Sequence, residues 1–570
     1  MDEDLFLGFD LSTQQIKAVV INEELELVVE SNVEFDVDTA EYGTKKGVFT
    51  NVELNEVYAP VAMWLKALDI LLNKLKHSGL DFAKIKCISG AGQQHGSVYW
   101  SKEAASLLSS LNPAETLESQ LAPAAFSHDM SPNWQDHSTT EECDFLENKV
   151  GGPMRAAEVT GSRFHHRFTG PQILRFRRQH PDRYLATARI SLVSNFFASL
   201  WLGTFAPFDR SDVCGMNLWD ISDEKWDEDL VKYVAGDSEA EKEELLNKLG
   251  HVEPDGGKSL GLISDYFVKR FGFSKDCSIV SVTGDNPSTI LALPLRPLDV
   301  IVSFGTSTTL LISTPVYKPS PSYHLFTHPT SKGLYMGMLC YCNGSLAREQ
   351  IRDGLNTAQN YSGSDPWELF NASVENTPCL GSFDTSKSKL GIYFPLPEII
   401  PDCKSGTWRF LTDDTGELTD ATDASWNIPL DDARAILESQ NLSMRLRAEP
   451  MLSPSGQPHR VYVVGGGSKN LSFCKLLGQI LGPADGVYRL ELSNACALGS
   501  AYKALWSLRR KKILNEDSFE SFDDFLADRW NESSMISKVD QGYQPEIWHR
   551  YGSVLNAFSK AEDLAINSSK

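Results

Sequence analysis

Six polar clusters in this sequence carry residue types that could do chemistry. In Asp10-Leu11-Ser12-Thr13-Gln14-Gln15-Ile16-Lys17 a carboxylate at a strand end meets hydroxyls and backbone N–H groups at the tip of a turn. That set suits a hydrated Mg²⁺ at Asp10 and phosphate oxygens at Ser12, Thr13 and Gln14, although a solvated hairpin with a capping Asp has the same residues. Gly305-Thr306-Ser307 repeats the small hydroxyl tip. Gly90-Ala91-Gly92-Gln93-Gln94-His95-Gly96 bends out of a strand with a histidine able to donate to and accept from hydroxyl groups, or simply to hold a loop. Gly161 to Gly170 packs Arg163, His165, His166 and Arg167 together, without the spacing or the cysteines of a zinc site. It is either a solvated basic loop or a place where an arginine orients hydroxyls. In Thr283-Gly284-Asp285-Asn286-Pro287-Ser288-Thr289, Pro287 suits the first turn of a helix. Asp285 is then either an N-cap or a base placed to accept a hydroxyl proton during phosphoryl transfer. Last, Gly465-Gly466-Gly467-Ser468-Lys469-Asn470 follows an apolar strand, and its glycines let backbone approach a ligand closely.

Two similar sets of elements must hold these clusters. Leu5 to Asp10 and Ile16 to Ile21 read as a hairpin around the first tip, with a third strand at Leu25 to Phe35. Helical spacing runs from Asn55 to Leu75, and a further strand covers Ile85 to Gly90. After Pro294-Leu295-Arg296-Pro297 the pattern restarts: Asp299 to Phe304, the second tip, then Leu310 to Ser313. Later come a strand at Val461 to Val464, the glycine turn and a helix at Leu471 to Leu481. The sequence therefore predicts a duplicated α/β architecture whose two tips share a ligand. Its parts are a first domain at 1–295, a second at 296–515 and a polar helical tail at 516–570.

A chain of 570 residues exceeds what one core serves, which agrees with two domains around a cleft. The formal net charge of -23 disfavours nucleic acid and anionic membrane as partners, so a phosphate-rich ligand needs local donors and a metal. The acidic start Met1-Asp2-Glu3-Asp4 lacks the basic opening of a secretory signal, and no apolar run is long enough to span a bilayer. Ten cysteines at irregular spacing, with no C-x-x-C pair, read as reduced thiols. The expected location is the cytoplasm. G-x-G-x-x-G is not completed at Gly90 to Gly96, and neither a Walker A nor a protein-kinase signature occurs.

Taken in order, Asp10-x-Ser12-Thr13, Gln94-His95-Gly96, Gly284-Asp285-Asn286, Gly305-Thr306-Ser307 and Gly465-Gly466-Gly467 resemble the FGGY family of carbohydrate kinases. The resemblance spans residues 5 to 510 and is greatest to the eukaryotic-type D-xylulose kinase branch. It includes the longer strings Ser89 to Ser97, Arg189 to Ser194 and Ser493 to Tyr502. It implies two ribonuclease-H-like domains of the actin and hexokinase type, flanking a cleft that takes ATP, with the sugar held mostly by the first domain. It implies conversion of D-xylulose to D-xylulose 5-phosphate with ATP and Mg²⁺, the catalytic base at Asp285 and sugar contacts at His95, Arg167, Asp285 and Asn286. Nucleotide contacts fall at Trp367, Gly466, Gly467 and Asn470, beside the phosphate tips at Ser12, Thr13, Gln14, Gly305, Thr306 and Ser307. Many bacterial relatives have Met-His-Gly at Gln94-His95-Gly96 and Asp-x-Gly-Thr at Asp10 to Thr13, so their sugar preferences do not transfer. Ribulose, gluconate or glycerol are alternative acceptors on the same fold. A non-catalytic sugar or nucleotide sensor would be expected to lack the pair Asp10 and Asp285. An actin- or chaperone-like ATPase would turn over ATP without sugar.

Overall fold

The computed structural model describes residues 3–236, 238–384, 386–491, 494–515 and 518–568. Met1, Asp2, Ser493 and the first two residues of the tail, Glu516 and Asp517, lie outside them. The first sheet consists of β1 (Leu5–Leu11), β2 (Gln15–Ile21), β3 (Leu27–Glu34), β4 (Ile85–Gly92), β5 (Ser259–Leu262), β6 (Ser278–Val280) and β7 (Thr283–Gly284). Its order is β5-β6-β4-β1-β2-β3, with β7 also beside β4. β1 runs antiparallel to β2 and parallel to β4. Every residue of β1 is buried, because the strand is covered on both faces. Side chains alternate along it. Leu7, Phe9 and Leu11 join the core formed with α1 (Val61–His77) and α2 (Val193–Leu202), where Phe9 meets Phe197 and Trp201 at centroid distances of 5.4 and 5.1 Å. Gly8 and Asp10 face the other way. Burying those apolar side chains contributes about 1.5–3 kcal/mol each, and a one-residue slip would forfeit it, so the register that fixes Asp10 is strongly specified. Beyond β7 the chain enters the short helix α3 (Asp285–Thr289).

The second sheet repeats the plan with β8 (Val300–Phe304), β9 (Thr308–Thr314), β10 (His324–Thr327), β11 (Tyr335–Tyr341), β12 (Val461–Val464), β13 (Val487–Leu490) and β14 (Ile536–Asp540). Its order is β10-β11-β9-β8-β12-β13-β14. The run β11-β9-β8-β12-β13 matches β3-β2-β1-β4-β6 in both order and strand direction. This is the duplicated α/β fold expected from the two hairpins. Around the second sheet lie α4 (Ser345–Ala358), α5 (Glu368–Asn376), α6 (Leu430–Ala448) and α7 (Leu471–Leu481).

Three differences from the sequence expectations have physical causes. Glu56–Pro60 is a strand and the helix begins at Val61, since the Val57 N–H is taken by Asp136 Oδ2 at 2.8 Å and Tyr58 pairs with Pro132. Next, α8 (Ala495–Arg509) lies in sequence between β13 and β14 of the second sheet but packs on the first: a Cβ on Gly8 would lie 2.0 Å from the Ala497 carbonyl oxygen. Finally, the polar tail is built into the fold through β14 and through α9 (Leu555–Ser568), whose Phe558 and Ala561 are buried and whose Glu562 pairs with Arg447 at 2.9 Å. Among the described residues no cysteine is in a disulfide, and no helix is long and apolar enough to cross a membrane.

Candidate active site

Asp10 is the penultimate residue of β1, opposite Lys17 of β2 and Ala91 of β4. It is 5% exposed, and its Oδ1 has no hydrogen-bond partner. Burial first, then the Asp285 carboxylate, raise its pKa to about 7 against the pull of Lys17. Asp285 is the first residue of α3, and Gly284 occupies the cap position. The N-cap alternative for Asp285 therefore does not describe it. Its Oδ1 accepts from the backbone N–H of Asn286 at 2.8 Å and from Asn286 Nδ2 at 3.1 Å. Burial raises its pKa to about 6, with the Asn286 N–H opposing. The two carboxylates thus share one desolvated region, and Cys496 of α8, whose Sγ lies 3.5 Å from the Asp285 carbonyl oxygen, borders it.

A hydrogen-bond chain links Asp285 to its surroundings. Asn286 Nδ2 donates to Gln94 Oε1 at 3.0 Å, Gln94 Nε2 donates to Asp212 Oδ1 at 3.4 Å, and Ser194 Oγ donates to Asp212 Oδ2 at 2.5 Å. Gly284 has to be small here, because a Cβ would meet Asp212 Oδ1 at 2.5 Å and Gln94 Cγ at 2.6 Å. Deeper still, Asp209 accepts from Thr283 Oγ1 at 2.6 Å and pairs with Lys503 of α8 at 3.4 Å, both side chains being fully buried.

His95 follows in the left-handed region, with φ of 71°. Its Nδ1 donates to the Gly215 carbonyl at 3.0 Å, which leaves Nε2 as an acceptor. Its ring stacks on Phe168 at 4.2 Å, and burial together with Arg167 holds its pKa well below the usual imidazole range. Arg167 Nη2 donates to Nε2 of His324, a fully buried residue of β10, and His324 Nδ1 meets Ser162 Oγ at 2.9 Å. Arg167 therefore ties the first domain to the second. A neutral acceptor and a cation side by side are suited to grasp a polyhydroxylated ligand.

Six of the residues expected at a nucleotide, Gly305, Thr306, Trp367, Gly466, Gly467 and Asn470, line one groove of about 780 Å³. Ser307 is not in its lining; the Ser307 carbonyl accepts from Gly305 N–H at 3.1 Å and closes the turn. Ser12, Thr13 and Gln14 belong to the other hairpin tip and lie outside this groove. There Ser12 Oγ donates to the Gln15 carbonyl at 2.9 Å, and Trp134 Nε1 donates to Thr13 Oγ1 at 2.8 Å. Asn470 Oδ1 caps α7 by accepting from Ser472 N–H at 3.0 Å, while its Nδ2 donates to Asn371 Oδ1 at 2.8 Å. Its side chain thus shapes the groove wall through the helix start. Sequence reasoning missed Asp212, His324 and Arg348, because no local motif announces them and only long-range packing brings them in. Among the described residues no group of three His, Cys, Asp or Glu could hold a metal. What fits Mg²⁺ is the unpartnered Asp10 Oδ1, since this ion is commonly held by one or two carboxylates plus substrate phosphates.

Residues 131–292 match the N-terminal domain of the FGGY family of carbohydrate kinases, and residues 300–508 match its C-terminal domain. The chain is 53% identical to a probable D-xylulose kinase A of Aspergillus terreus over 99% of this chain and 98% of that one. In structure it resembles a gluconate kinase of Lactobacillus acidophilus, with a TM-score of 0.75, 15% identity and coverage of 100% and 99%. It also resembles a ligand-bound xylulose kinase of the same organism, with a TM-score of 0.74, 15% identity and coverage of 99% for both chains.

Proposed function

Because this chain belongs to the FGGY family of carbohydrate kinases, we propose that it transfers the terminal phosphoryl group of ATP to D-xylulose, forming D-xylulose 5-phosphate, with Asp285 as general base. The observation that carries the chemistry is the buried pair Asp10 and Asp285, two carboxylates in one desolvated region, each with a raised pKa and each with a distinct task open to it. Asp285 Oδ1 is held by Asn286, which fixes the carboxylate to take the proton of the sugar hydroxyl as oxygen attacks phosphorus. His95 Nε2 accepts a hydrogen bond from one sugar hydroxyl, the Arg167 guanidinium donates to another and the Asn286 amide oxygen accepts from a third, so that the acceptor is oriented from several sides. Asp10, with its free oxygen, would hold Mg²⁺ directly or through water together with the phosphates; when bound, the ion neutralises phosphate charge. The groove from Trp367 to Gly305 and Thr306 takes the nucleotide.

The choice of sugar rests on sequence likeness, because the fold is shared with a gluconate kinase. It is tested by ADP release over a panel of ketoses, polyols and aldonates: D-xylulose should give the highest kcat/KM. Sugar-independent ATP turnover, or a better acceptor from another class, would reject the assignment. Asp285→Ala should lower kcat by about 10²- to 10⁴-fold in a folded protein. Near-normal turnover would remove it from the role.

A further inference from the structure

Arg348, in the first turn of α4, lines the nucleotide groove and is 1% exposed. Its guanidinium lies between two rings, 5.3 Å from the centroid of Phe304 and 5.2 Å from that of Phe473. Nη1 donates to Gln440 Oε1 at 2.7 Å, and Gln440 Nε2 donates to the backbone oxygens of Asn343 and Gly344 at 2.9 and 3.2 Å. The Gly344 N–H in turn donates to the Thr306 carbonyl at 3.1 Å, so Arg348 is wired to the phosphate tip. Nε and Nη2 have no hydrogen-bond partner. Glu349, its neighbour in sequence, acts on its charge but forms no ion pair with it among the described residues. A buried cation with two unpartnered nitrogens, which carry three N–H groups between them, is unfavourable unless something arrives to complete it. The groove also carries Glu349, Asp365 and Glu375, which repel phosphate, so an offsetting charge is required there.

We propose that Arg348 is the anion anchor of the nucleotide groove, acting on the phosphate chain between the base at Trp367 and the Gly305–Thr306 turn. The position follows from its two neighbours: Phe473 packs on Trp367 at 5.3 Å, and Phe304 immediately precedes Gly305. The planar fork of a guanidinium matches phosphate oxygens in pairs, which a lysine does not. Arg348 thereby lets the protein distinguish nucleoside diphosphates and triphosphates from nucleosides. The inference rests on the kinase reading of this groove.

The test is calorimetric titration of the full chain, with Mg²⁺, by adenosine and by ADP, in the wild type, Arg348→Met and Arg348→Lys. Arg348→Met should weaken ADP binding by about 10- to 100-fold while changing adenosine binding by less than about threefold. An unchanged ADP affinity, or equal losses for the two ligands, overturns the proposal, the second result making Arg348 a packing residue. Should Arg348→Met fail to fold, Arg348→Lys decides: the gain in affinity from adenosine to ADP should shrink by about fivefold or more, and an unchanged gain overturns it. A wild-type protein that binds ADP no better than adenosine would instead sink the kinase reading of the groove itself.

Discussion

At the residue scale, the raised pKa of Asp285 has a kinetic consequence. The base is active only when ionised, and burial moves its titration up to about 6. Below that pH the carboxylate gains a proton, so with Mg²⁺ and ATP saturating, which keeps Asp10 ionised, kcat/KM for the sugar should fall about tenfold per pH unit as acid rises and level off above it. Asp285→Asn should lose most activity and flatten this acid limb, and a pH–rate profile with an unshifted limb in the variant would assign the titration elsewhere. Asp285 was legible in the sequence as one of two alternatives, base or cap. The cap fails because Gly284 takes that position, a one-residue matter that propensity does not resolve. His95, Gly305, Thr306, Gly466, Gly467 and Asn470 were singled out by local glycine, hydroxyl and amide clusters, whereas Trp367 came only from the family resemblance; what the structure adds is that the last five of these and Trp367 line one groove. Asp212, His324 and Arg348 were not, since each acts through partners far away in sequence: Gln94 for Asp212, Arg167 for His324 and Gln440 for Arg348.

At the element scale, the strands were readable because their apolar alternation is local, whereas what covers them was not. β12 and α7 have the predicted bounds, and both hairpins are present with strand ends shifted by one or two residues. The helical spacing from Asn55 also fitted a strand over its first residues, because Val57 lies on a buried face in either element. No pattern announced that α8 would leave its own sheet for the other. Its attachment includes the buried pair of Lys503 with Asp209, beneath the strand that carries Thr283 and Gly284. Removing the cation leaves Asp209 buried with neutral donors alone, the Thr283 and Ser281 hydroxyls and the backbone N–H groups of Ser211 and Asp212. Lys503→Met should therefore destabilise the protein by roughly 3–5 kcal/mol, toward the low end because Thr283 and Ser281 still donate to Asp209. A urea unfolding midpoint equal to that of the wild type would show that the pair is energetically idle.

At the scale of the whole molecule, Arg167 and His324 join the two halves, and α8 joins them again by covering Gly8, on the face of β1 that also carries Asp10. Residues 1–295 expressed without the remainder lack the helix that covers Gly8 and the cation that meets Asp209. That fragment should be insoluble, or should show the broad, non-cooperative melting of an incompletely packed core; a sharp cooperative melt would show that the first sheet closes without α8. The route of α8 also sets the timing of birth. On the ribosome, which releases a chain from its N-terminus onward, the first sheet waits with an uncovered flank until residues near 509 emerge, after all the strands of the second sheet except its edge β14 have been made. A message cut short before α8 would therefore yield an aggregation-prone client for chaperones rather than a folded first half.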